Sequence, residues 1–85
     1  MQNTINVVKA LHQQQNEIDD FTIYSMLAHS EKNEANKNVF FKIAHEEKGH
    51  YIYLQSFTNQ ELLPRRLVVL FYLLIAKMLG VSFAL

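Results

Sequence analysis

The sequence predicts an all-α fold, an antiparallel helical hairpin followed by a third, apolar helix. Three observations lead there. Two Gly and one Pro in 85 residues leave little to interrupt a helix. Apolar residues recur at three- and four-residue steps rather than alternating. No repeat, low-complexity tract or Gly/Ser linker divides the chain, so residues 1–85 read as a single domain.

The first helix is expected at about residues 4–31. Val7, Ala10, Leu11, Gln14, Glu17, Ile18, Phe21, Tyr24, Ser25 and Ala28 form one inward stripe there, while Asp19 and Asp20 are expected to point outward. The polar run Ser30-Glu31-Lys32-Asn33-Glu34 then marks a turn, with Asn33 as N-cap and Glu34 at the positive end of the next helix dipole. A second helix, about 34–57, carries the heptad-like stripe Phe40, Ile43, Glu47, His50, Leu54 and Phe57, flanked by Ala44 and Tyr51. Thr58-Asn59-Gln60 and Pro64 break the pattern before a third helix of about 65–83.

Charge and composition narrow the function. Eight Lys and Arg against eight Asp and Glu give a net charge of zero, with no basic run beyond Arg65-Arg66, so nucleic acid is not an expected partner. The absence of Cys excludes disulfides, thiolate zinc, iron–sulfur clusters and a Cys nucleophile; a metal would have to use carboxylate and imidazole. The start of the chain lacks a secretory layout, which leads us to expect a cytoplasmic protein. A single core this small is marginal, so partners or a bound metal are expected.

Residues 67–85 have two readings. Sixteen of the nineteen are apolar, and such a segment spans roughly 28 Å as a helix, so membrane association is one reading. Lys77 argues against insertion, at about 2.5–3.5 kcal/mol for a central Lys. The other reading, which we favour, is a helix buried between subunits.

Three polar residues interrupt the apolar stripes where core residues are expected: Glu17 on the first helix, Glu47 and His50 on the second. Placing a carboxylate or an imidazole there costs several kcal/mol unless something pairs with it, and a metal ion is one such partner. Glu47 and His50, three apart, share a helix face and can aim at one ion. The superficially zincin-like His45-Glu46-Glu47-Lys48-Gly49-His50 has its histidines five apart, about 140° round the helix, and is rejected. Plainer roles also fit these positions. Glu17 can be a solvated residue at the stripe's edge, His50 a satisfied core histidine, and Tyr24, Tyr51 and Tyr53 packing aromatics with a polar tip. Glu46 reads as solvated, His12, His29 and His45 as surface residues. Glu31 and Glu34 read as an ion-admitting patch or a solvated helix junction.

Glu17 followed seven residues later by Tyr24, with Glu46-Glu47-x-x-His50 on the next helix, resembles the first helix pair of the ferritin-like di-iron superfamily. The stretch Glu17-Ile-Asp-Asp-Phe-Thr-Ile-Tyr24 through Asn36, Ile43-Ala44, Glu46-Glu47 and His50-Tyr51 is most similar to rubrerythrin-like domains, particularly those beside vacuolar-iron-transporter-type proteins. The layout is also similar to encapsulated ferritins. A di-iron bundle uses two lone Glu and two Glu-x-x-His motifs, and this chain supplies half of that set. The resemblance therefore implies a homodimer or higher homo-oligomer closing a ferritin-like four-helix bundle, with two iron ions per dimer (manganese or zinc as alternatives). It implies metal ligation by Glu17, Glu47 and His50, with Glu47 bridging, Glu17 terminal and Tyr24 hydrogen-bonded to a ligand carboxylate. The implied activity is ferroxidase-type oxidation of Fe(II) by oxygen or peroxide. The competing reading is a non-catalytic helical interaction module, or a fragment of a larger membrane iron transporter.

Overall fold

The computed structural model describes residues 2–80, with side chains from residue 6 onward. Three helices make up the described chain: α1 (Gln2–Ser30), α2 (Glu34–Thr58) and α3 (Arg66–Leu79). No strand occurs among the described residues.

Local chemistry sets each boundary. Asn33 adopts extended backbone and its side-chain oxygen accepts the Asn36 N–H at 3.0 Å, capping α2, with Glu34 in the first turn. At the other end Asn59 takes the left-handed conformation (φ 57°) and donates its N–H to Gln55 O, closing the last turn. Gly80, at φ 90°, follows the end of α3, a conformation that glycine adopts without a Cβ penalty. The third helix thus stops at Leu79 rather than continuing to 83, and residues 81–83 lie outside those described.

α1 and α2 pair antiparallel: Gln14 meets Thr58, Glu17 meets His50, and Tyr24 packs on Phe40 with ring centroids 6.0 Å apart. α3 returns along the later half of α1. Val69 and Ala76 join Ile23, Leu27, Ala28 and Phe40 in one buried cluster, with Tyr24 and Leu73 against it. The connection between α2 and α3 is held by polar contacts rather than by apolar ones. Gln14 donates to Gln60 O at 2.7 Å and Gln15 to Leu63 O at 2.8 Å, while the Tyr51 hydroxyl donates to Leu62 O and accepts from Leu62 N–H. These contacts satisfy backbone groups that form no helix of their own.

Several expected faces are corrected. Asp19, expected outward, is buried, because α3 gives α1 a second inward face and brings Arg65 to it. Asp20 is half-buried for the same reason. On α2 the buried residues are Phe40, Ala44, Tyr51 and Thr58, whereas Phe57 is exposed. A straight α-helix repeats every 3.6 residues, so Thr58, eighteen residues from Phe40, returns after five turns to the same face. His50 and Phe57, ten and seventeen residues on from Phe40, lie about 80–100° round the helix from it. Much of α3 faces solvent: Leu67, Leu70, Phe71, Leu74 and Met78 are exposed. Among the described residues no helix is long and apolar enough to cross a membrane.

Candidate metal centre

Glu17 sits midway along α1, on the face that meets α2, and its side chain is only 7% exposed. It is held from two sides. Gln13, one turn earlier, donates its amide to Glu17 Oε1, and His50 Nδ1 lies 3.2 Å from Glu17 Oε2. The same Nδ1 is 3.3 Å from Glu47 Oε1, the i,i+3 spacing on α2 placing both groups on one side. One donor atom from each of Glu17, Glu47 and His50 lies within 4.8 Å of the others. The three residues singled out in the sequence are thus brought together, and Glu46 is exposed.

Their exposures differ. Glu47 is 18% exposed at the side chain, but His50 is 62% exposed and belongs to the rim, not to the apolar stripe expected for it. The cause is position on the helix: Glu47 lies about 20° round from Phe40, whereas His50 lies about 80° round, at the edge of that face.

Asp20 is a participant that sequence reading missed. It lies three residues beyond Glu17 on α1, and its carboxyl, like that of Glu17, sits close enough to Glu47 to shift it. The available signal was its i+3 spacing from Glu17. Burial, then the carboxyls of Glu17 and Asp20 beside it, together raise Glu47 to about 7. Asp20 is raised mainly by burial, an effect opposed by its hydrogen bond from Glu47. His50 is raised chiefly by its hydrogen bond to Glu17. Tyr24 is raised by burial and then by the negative charges of Asp20 and Glu47, which places its hydroxyl in their field.

Glu17 and Gln13 border two clefts. The larger, about 690 Å³, runs between α1 and α3 past Asp20, Tyr24 and Tyr72. The smaller, about 220 Å³, is bordered by His50, Tyr53 and Leu54.

The donor set is two carboxylates and one imidazole, which suits Fe(II), Mn(II) or Zn(II) and excludes sites that need soft sulfur. The crowding of acids also fits a cation. No Lys or Arg forms an ion pair with Glu17, Asp20 or Glu47 among the described residues, and the crowding of carboxyls holds Glu47 well above the usual carboxylate range.

A pH dependence follows for the metal-free protein. Glu47 binds its proton more tightly folded (about 7) than unfolded (4.5), so its contribution favours folding at low pH and is lost as pH rises through that window. His50, also raised, contributes stability below its unfolded value of 6.5 that disappears as pH passes its folded value. Both act in one direction. The melting temperature, followed by circular dichroism without metal, is expected to fall between about pH 5 and pH 8, and Glu47→Gln, neutral throughout, should flatten the fall.

Compared with family models, with curated protein sequences and with solved structures, the chain matches none.

Proposed function

We propose that this protein binds ferrous iron at Glu17, Glu47 and His50 and oxidises it, at a centre that two copies of the chain complete. The observation that carries the reading is the convergence of those three donors within 4.8 Å, on two helices, with no Lys or Arg paired to them among the described residues. The resemblance to ferritin-like di-iron proteins supports the same assignment. Three donor groups leave coordination positions open on an ion, and a two-fold axis would supply a second Glu17 and a second Glu47/His50 pair.

Each residue has a distinct task in this reading. Glu17, buried and oriented by Gln13, is the fixed ligand. Glu47 must release its proton before it binds, so iron uptake strengthens as pH rises through about 7. His50 on the rim gives the neutral nitrogen and admits solute from solvent, and Tyr24 steadies the carboxylates beside it. Iron is the substrate: two ferrous ions each give one electron and, with two protons taken from solvent, together reduce one oxygen molecule to hydrogen peroxide or one hydrogen peroxide to two waters.

The exposed apolar side of α3 favours a second reading, a helical interaction module without catalysis. Anaerobic titration with Fe(II), with the mass in solution recorded before air is admitted, separates the two. Two ions per dimer, oxidised on exposure to air and lost in Glu47→Ala, is the expected result. A monomer, or behaviour that ignores both metal and substitution, would overturn the iron reading in favour of the module.

A further inference from the structure

Two adjacent acids on α1 have opposite surroundings. Asp19 is neutralised: its carboxylate accepts Arg65 N–H at 2.8 Å and Arg65 Nε–H at 2.7 Å. Asp20 has no Lys or Arg in an ion pair among the described residues, and faces Glu47 inside the acid cluster. It borders the same cleft as Glu17 and Tyr24, so solute that reaches Glu17 from that side also meets Asp20. Yet Asp20 is not part of the three-donor group. A half-buried carboxylate that neither pairs with a cation nor completes the triad calls for a different role.

Charge matching supplies one. In a two-copy centre the paired Glu17 and Glu47 carboxylates carry four negative charges, which equal the charge of two divalent ions. Adding both Asp20 carboxylates gives six, which equal the charge of two trivalent ions. The attraction of a fixed carboxylate grows with the ion's charge, and it grows more in a partly buried site than in water. Hard trivalent ions also favour oxygen donors.

Resting on the iron reading above, we propose that Asp20 is a specificity-determining residue of the centre: its carboxylate favours the trivalent product over the divalent substrate. Asp20 thereby makes oxidation more favourable in this site than the triad alone would, and slows loss of the ferric ion. It does so through charge beside Glu47, as a positioning and electrostatic group.

The test compares two redox-inert ions, zinc(II) and gallium(III), each presented as a citrate complex, bound to the full chain and quantified by elemental analysis after dialysis. Asp20→Asn is expected to lower gallium affinity at least about tenfold more than zinc affinity, and Asp20→Glu to restore the ratio. A ratio unchanged in Asp20→Asn, with both affinities lowered alike or neither altered, overturns the proposal. Uptake of neither ion by the unmodified chain overturns the metal reading itself, and this one with it. If Asp20→Asn loses its helical circular dichroism, Asp20→Ala is measured in its place against the same two outcomes.

Discussion

Phe40→Ala is expected to cost about 3–5 kcal/mol of stability, the range for emptying a fully buried aromatic site. Phe40 is completely buried and is where all three helices meet: it stacks on Tyr24 of α1 and shares its cluster with Ile23, Leu27 and Ala28 and with Val69 and Ala76 of α3. A chain of this size has about 4–13 kcal/mol in total. The substitution therefore consumes a large share of it, and its neighbours Ala28 and Ala76 have no side-chain reach with which to fill the cavity. Urea unfolding followed by circular dichroism, at one fixed protein concentration, measures it. Phe40→Leu, which keeps most of the volume, should lose less than half as much. A loss below about 1 kcal/mol for Phe40→Ala would mean that this cluster is not the core.

The second large effect is expected from Arg65→Ala. Asp19 is 3% exposed at its side chain and receives both the backbone N–H and the guanidinium of Arg65, with Gln15 as a further donor at 3.1 Å. Removing the guanidinium leaves a buried carboxylate without its countercharge, a change that typically costs about 3–5 kcal/mol. Arg65 is itself half exposed, so water replaces part of what is lost, and about 3 kcal/mol is the expected value. The reverse change is milder: Asp19→Ala frees a guanidinium that water can reach, at about 1–2 kcal/mol. Thermal unfolding of both variants and of the double variant gives the coupling directly. Equal single losses would argue against burial of the acid as the source of the asymmetry.

These two sites mark what the amino-acid sequence could and could not disclose. The helices, the Asn33 cap and the proximity of Glu17, Glu47 and His50 were legible because each depends on spacing within a helix or on one pairing of two helices. The inward position of Asp19 was not, since its partner lies 46 residues away and only the docking of α3 brings it there. Ile23 and Leu27 were missed for the same reason: the stripe chosen for α1 faced α2, and a second stripe facing α3 ran beside it. His50 is expected in the core stripe, but it lies about 80° round the helix from Phe40 and so stands at the rim, still within reach of Glu17. Asp20 is expected outward because it lies off the α1 stripe that faces α2, and only the packed helices bring it beside Glu47.

The two clefts that share Glu17 and Gln13 have a consequence for traffic. A buried carboxylate reached through a single mouth has only one passage to solvent. Glu17 is approached from the α3 side past Asp20 and Tyr24, and from the opposite side past His50 and Tyr53. Under the iron reading proposed above, a second copy of the chain seated over one mouth would leave the other open, so loading and release would not compete for the same door.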